Sequence, residues 1–253
     1  MNQVIKKQKT EVALASLLRK DALAGFNNMD TSDFTLPRIK ALMVSSPEVQ
    51  EDNSKYITGA KPGLILNTGT KKLTDGVEGL NILPCYYKRE YVEWSDRGQG
   101  IAAPVNVHPV GSSIITTTKK DALYKDRLPN GNYLEETASY FLMLEKGGAC
   151  LLEMKSTALP VSRNWNTMMN SIEMTDDQGP FTPATYSHVY SLKTAKKSND
   201  KGSWYTWSVD LVGPVQDVNL YEKSKKFAES VSKGDIKAKH GDDSTQSEEK
   251  VPF

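Results

Sequence analysis

"YLEETASYFLMLEKGGACLLEMKSTAL" (residues 133–159) decides how the rest of the chain is read. Two apolar, β-prone runs flank Gly147-Gly148, a spacing that predicts a hairpin of two strands around a tight turn. Upstream, "GLNILPCYYKREYVEWS" (79–95) is the longest strand-like run. Further strands are expected in "LPRIKALMV", with Ile39 and Leu42 or Met43 inward, and in "SSIITTT" (112–118) and "SWYTWSVDLV" (203–212). "YITGAKPGLILN" reads as a strand, a Gly/Pro turn and a second strand.

Helices interrupt this texture. Val12, Leu14, Leu17, Leu18 and Leu23 fall near helical spacing in a short N-terminal amphipathic segment. In "SRNWNTMMNSIEM", Trp165, Met168, Met169 and Ile172 make one helix face, with Ser162 as the expected N-cap and Trp165 in the core. Residues 217–232 predict another helix, with Asp217 near its start and Gly234 past its end. The expected organisation is an N-terminal helical extension (1–29), a mainly β domain with a C-terminal helix (30–232) and a disordered acidic tail (233–253). Periodicity leaves barrel and sandwich open.

Charge divides the same way. The 253 residues carry a net +1, but residues 241–253 hold Asp242, Asp243, Glu248 and Glu249 against Lys250. The body is therefore at about +4, which points to an acidic partner for the body and a basic one for the tail. Cys85 and Cys150 are too few for a disulfide framework and suggest a reduced, intracellular protein. The N-terminus does not read as a signal peptide, and no run is long and apolar enough for a membrane span.

Catalytic patterns are missing. The three histidines show no metal-ligand spacing, and scattered Cys85, His108, Cys150 and His188 lack the close-spaced pairs of zinc sites. No phosphate-binding P-loop or nucleophile elbow occurs, and "GQG" (98–100) does not extend to a dinucleotide fingerprint. Glu135-Glu136 and Asp176-Asp177 are adjacent, so on a strand each pair would split between faces. The expectation is a non-enzyme with no metal and no cofactor.

Aromatic residues interleaved with cations point instead to single-stranded nucleic acid, whose bases stack on rings while cations track phosphates. In extended "PCYYKREYVEWSDR", Tyr87, Arg89 and Tyr91 share one face. "GSWYTWSVD" carries Trp204 and Trp207 on opposite faces. It follows a basic stretch, "KTAKKSNDKG" (193–202), read as a flexible loop with Lys196 and Lys197. "TTTKKDALYKDR" reads as a second basic loop. The candidate contacts are Tyr87, Arg89, Tyr91, Trp204, Trp207, Lys196 and Lys197. The chain finishes on "EEKVPF". A terminal Phe253 after Pro252, preceded by Asp242, Asp243, Glu248 and Glu249, suits capture by a partner pocket with a basic rim.

These stretches resemble known proteins. "EEKVPF" is similar to the C-terminal tip of bacterial single-stranded DNA-binding proteins, with Lys250 departing from their all-acidic run. "LPRIKALMVSSPEV", "YITGAKPG", "REYVEWSDRGQG" and "STALPVSRNWN" resemble bacteriophage single-stranded DNA-binding proteins. That resemblance implies an OB-like small barrel and a role in phage DNA replication, recombination and repair, in the cytoplasm of an infected bacterial host. It also implies replication or recombination proteins as tail partners, with self-association left open. The alternative is a protein-interaction or virion structural module without nucleic-acid binding.

Overall fold

The computed structural model describes residues 14–22, 24–25, 35–96, 103–122, 124–200 and 202–241. The chain divides into two compact units, Met1–Thr35 and Leu36–Phe253. In the first, residues 14–20 form a helix (α1) whose Leu14, Leu17 and Leu18 are exposed. The rest of this section concerns the second unit.

Its strands in chain order are β1 (Ile39–Ala41), β2 (Ile65–Asn67), β3 (Leu73–Thr74), β4 (Leu80–Trp94), β5 (Asn106–Pro109), β6 (Lys119–Lys120), β7 (Asp126–Arg127), β8 (Tyr133–Leu144), β9 (Ala149–Lys155), β10 (Met174–Asp176), β11 (Gly179–Phe181), β12 (His188–Asn199) and β13 (Gly202–Pro214). Helix α2 spans Leu159–Asn170 and α3 spans Val218–Lys233. The main sheet runs β13-β12-β4-β8-β7-β6, with β5 added to β4 and β9 to β8. The chain before β1 makes a parallel bridge, Arg38 to Leu151, and β1 lies against both β9 and β13. The sheet thereby curls toward closure. The meander β4-β8-β9, then a helix, then the hairpin β12-β13 returning to β4, is an OB-like barrel.

Strand β4 serves two cores because it bends. The register with β8 shifts between Pro84 and Tyr86, where proline has no N–H to give the ladder. The slip reverses side-chain parity. Leu80 and Ile82 before it, and Tyr87 after it, point to the barrel interior; Leu83, Cys85 and Tyr86 point to the other side. The interior holds Ile65, Tyr140, Leu142, Leu152, Met154, Tyr190, Leu192 and Trp207. Helix α2 plugs it with Trp165, which stacks on Tyr140 at 4.3 Å and meets Tyr190 edge-on at 5.7 Å. Helix α3 covers the opposite side with Leu220, Phe227, Ala228 and Val231 over Leu83, Phe141 and Leu151. Cys85 and Cys150 are both free and buried, and burial pushes the Cys85 thiol up to about 12. No helix among the described residues is long and apolar enough to cross a membrane.

Several expectations need correction. Residues 113–117 form a 3-10 turn, not a strand. The Thr116 and Thr117 hydroxyls donate back to the carbonyls of Ser113 and Ile114, a competing local bond that Thr offers the backbone. Tyr56 and Ile57 are not in a strand; only the second half of that stretch is extended. Helix α2 starts earlier than expected, with Pro160 in its first turn. Ser162 therefore sits inside the helix, its hydroxyl 2.8 Å from the Tyr140 hydroxyl, and caps nothing. Helix α3 begins and ends as expected: Asp217 accepts from Asn219 N–H at 2.8 Å, and Gly234 takes the left-handed φ of 85° that ends a helix.

The basic stretch 193–202 is not a loop. Strand β12 runs on to Asn199 and pairs residue by residue with β13. Its period-2 apolar pattern stops at Leu192, so only the partner strand holds the polar half extended. The second basic stretch contains the short pair β6-β7, fixed by Lys120 to Asp126 at 2.7 Å.

Candidate nucleic-acid interface

The structure separates the sequence-predicted contacts into two groups. Tyr87, Arg89 and Tyr91 do share one face of β4, opposite Tyr140, Ala138 and Glu136 of β8. This is the interior side. Tyr87 is half-buried with its ring 5.0 Å from Tyr140. The Arg89 guanidinium lies 3.5 Å from Glu136, which also faces Arg163 of α2 at 3.7 Å. Tyr91 is half-buried between its ladder partners His108 and Glu136. At the end of the same face Glu93 accepts from His108 at 2.8 Å, Asn130 at 3.0 Å and Asn132 at 2.6 Å. Burial pushes the Glu93 carboxyl up, but these hydrogen bonds outweigh it and hold the group below the usual carboxylate range.

The second group sits at the far end of the β12-β13 hairpin. Lys196 is directly opposite Tyr205, and Lys197 directly opposite Trp204. Opposite residues share a face, so the hairpin end carries a lysine and a ring on each side. Lys196 and Lys197 are exposed and have no ion-pair partner among the described residues. Trp204 is half-buried beside Thr157, Asn199 and Ser203, with its indole N–H buried and without an acceptor among the described residues. The Tyr205 ring packs against Gly63, where an added Cβ would come within 2.5 Å of it. Trp207 is one turn of the pleat further in and is 6% exposed, part of the interior core. Of the four tryptophans, Trp94, Trp165 and Trp207 are buried, which leaves Trp204 as the one with ring surface available to a base.

The two groups lie at opposite ends of one ladder. Leu192 pairs with Leu80; Lys196 is four residues beyond in one direction and Tyr87 seven in the other. At ~3.3 Å per residue their levels differ by on the order of 35 Å.

A cleft of about 240 Å³ opens between β1 and β13, lined by Arg38, Lys40, Glu153, Lys155, Tyr205 and Trp207 among others. Sequence reasoning missed it, because β1 and β13 are distant in the chain and only barrel closure joins them. Its cations are engaged. Lys40 lies 3.2 Å from Glu48, Lys155 3.2 Å from Glu135, and Arg38 donates to the carbonyl of Lys239.

By sequence, the segment after α3 is assigned to the disordered tail. Residues 235–241 instead lie as a strap on the α3 side of the sheet. Ile236 and Ala238 pack against the α3 core, and the His240 side chain is 3% exposed. Nδ1 of His240 is 2.6 Å from Glu153, and Nε2 is 3.3 Å from Glu90. The signal was present as alternation, Ile236, Ala238, His240, inside a highly polar run. Burial pushes the Glu153 carboxyl up, but the His240 hydrogen bond and the charges of Lys155 and Arg38 outweigh it and hold it below the usual range. The tail residues Asp242, Asp243, Glu248, Glu249, Pro252 and Phe253 lie outside the described residues.

Among the described residues no group of His, Cys, Asp or Glu is arranged to hold a metal ion. Comparison with curated proteins and with solved structures returned no match. A family model described as Pam3 phage gp34-like protein matches residues 6–237, nearly the whole chain. With both units covered by that match, the chain belongs to the Pam3 phage gp34-like family.

Proposed function

We propose that this phage protein is a sequence-tolerant single-stranded DNA-binding protein acting in DNA replication, recombination and repair, in the cytoplasm of the infected bacterium. The observation that carries the reading is the end of the β12-β13 hairpin, where Lys196 faces Tyr205 and Lys197 faces Trp204 with no carboxylate neutralising either lysine among the described residues. Bases stacking on the Trp204 ring would contribute ~1–3 kcal/mol each, and the two lysines would follow the backbone phosphates. In an OB-like barrel the loop between the last two strands is a common edge of the ligand site. The acidic stretch that holds Asp242, Asp243, Glu248 and Glu249 would recruit replication or recombination proteins through a basic surface on the partner.

The test is intrinsic tryptophan fluorescence during titration with oligo(dT) at low and high salt. Saturable quenching that weakens with salt, and that disappears in Trp204→Phe, supports the reading. Absence of binding at low salt sinks it. That outcome would favour a protein-interaction or virion module, for which the ion-paired cations of β4 and of the β1-β13 cleft are the supporting observation.

A further inference from the structure

Residues 218–240 contain six lysines (Lys223, Lys225, Lys226, Lys233, Lys237 and Lys239) against three acids, Glu222, Glu229 and Asp235. That surplus of three is most of the body's excess of about +4, concentrated in α3 and the strap. All six lysines are exposed, and none has an ion-pair partner among the described residues. Several cations on the strands are instead neutralised: Lys40, Lys88, Arg89, Arg127 and Lys155 are each paired with a carboxylate.

On the outer side of α3 the lysines stand among exposed Glu222 and Glu229 and outnumber them. Helix α3 spends its apolar side on the core, with Leu220, Ser224, Phe227, Ala228 and Val231 buried, so its charged side faces out. Gly234 ends the helix, and the strap continues with Ile236, Ala238 and His240 inward. Alternation then turns Lys237 and Lys239 outward. His240, held between Glu90 and Glu153, and the Arg38 bond to the Lys239 carbonyl pin the strap in place. The lysines are thus carried on an anchored backbone. At ~1.5 Å per residue the helix lysines, Lys223 to Lys233, span on the order of 15 Å.

We infer that the outer face of α3 and the strap is a track for the phosphodiester backbone of single-stranded nucleic acid, used together with the hairpin end. This rests on the proposed DNA-binding reading and extends it to a second surface that acts through charge. Each lysine that neutralises a phosphate releases counterions condensed on the nucleic acid, which makes such binding salt-sensitive. The strap's anchorage keeps the last two lysines in line with the helix.

The experiment uses the full-length chain. Oligo(dT) affinity is measured across a salt series for the unmodified protein, for Lys223→Gln/Lys226→Gln/Lys233→Gln, and for a control, Lys71→Gln/Lys72→Gln/Lys146→Gln, that removes the same charge from another exposed surface. Each lost phosphate contact lowers the slope of log K against log salt by ~0.7 for single strands, so the α3 variant is expected to lose roughly 2 from the slope. Its affinity at low salt should fall about tenfold or more, with the Trp204 quench amplitude retained and the control close to the unmodified protein. An unchanged slope in the α3 variant, or an equal change in the control, overturns the track and leaves the hairpin site standing. Failure of the unmodified protein to bind oligo(dT) overturns both.

Discussion

Strand β4 and the end of the β12-β13 hairpin carry the same kind of sequence, rings alternating with cations, and the structure gives them different fates. On β4, Tyr87 leans on Tyr140, Arg89 faces Glu136, and Glu93 is saturated by His108 and two asparagines. On the hairpin end, Lys196 and Lys197 stand opposite Tyr205 and Trp204, and neither lysine has an ion-pair partner among the described residues. The difference lies in the neighbours. Strand β8 supplies Glu136, and α2 lies over the same side with Arg163 and the Trp165 plug. Lys196 and Lys197 of the hairpin are exposed. A ring-and-cation pattern keeps its cations available to a ligand only where the fold leaves them unneutralised.

The largest effects should come from breaking the β4 side. Trp165→Ala removes the ring that touches both Tyr140 and Tyr190 and should cost about 3–5 kcal/mol of unfolding free energy in urea. Tyr87→Ala, half-buried, should cost about 1–3 kcal/mol while leaving oligo(dT) affinity unchanged. A folded Tyr87→Ala protein with markedly weaker DNA binding would show that the β4 face does belong to the site. Trp204→Ala should do the reverse. Its expected loss is ~1–3 kcal/mol in DNA affinity by titration, with a smaller change in stability.

Acid should also separate the two regions. Glu93 and Glu153 titrate below the usual carboxylate range in the folded protein. A depressed carboxylate contributes stability above its unfolded pKa, near ~4.3, and that contribution is lost as pH falls from there through the lower folded value. Hydrogen exchange should therefore report loosening around Glu93 and the strap below about pH 4 before the hairpin end, which holds no such acid. Simultaneous loosening would mean that the carboxylate networks are not what holds these places.

How much of this was legible depends on where the determinants sit. The hairpin at Gly147-Gly148, the length of β4 and both ends of α3 are written locally, in β-branched runs, a turn pair and caps. So was the shared face of Tyr87, Arg89 and Tyr91, because alternation needs no partner. That this face points inward was not, since the Pro84 bulge and the α2 plug set it through contacts distant in sequence. The extended state of Lys193–Asn199 was hidden because its composition reads as loop and only pairing with β13 makes it a strand. The β1-β13 cleft exists only after closure. The strap was masked by a polar composition in which three inward residues carry the docking.

The smallest prediction tests the comparison most directly. Arg89 and Glu136 are 3.5 Å apart, with the arginine 38% exposed, so the pair contributes little to stability, at most about 1 kcal/mol in a double-mutant cycle. If the pair is structural, Arg89→Ala leaves DNA affinity and its salt slope untouched, because the guanidinium was already spent on a carboxylate. If DNA displaces Glu136, the slope falls by ~0.7 even though stability barely moves. Glu136→Gln then discriminates further, since freeing Arg89 from its acid would tighten binding only if a phosphate can reach it. An unchanged slope in both variants confines binding to surfaces whose cations the fold leaves unpaired.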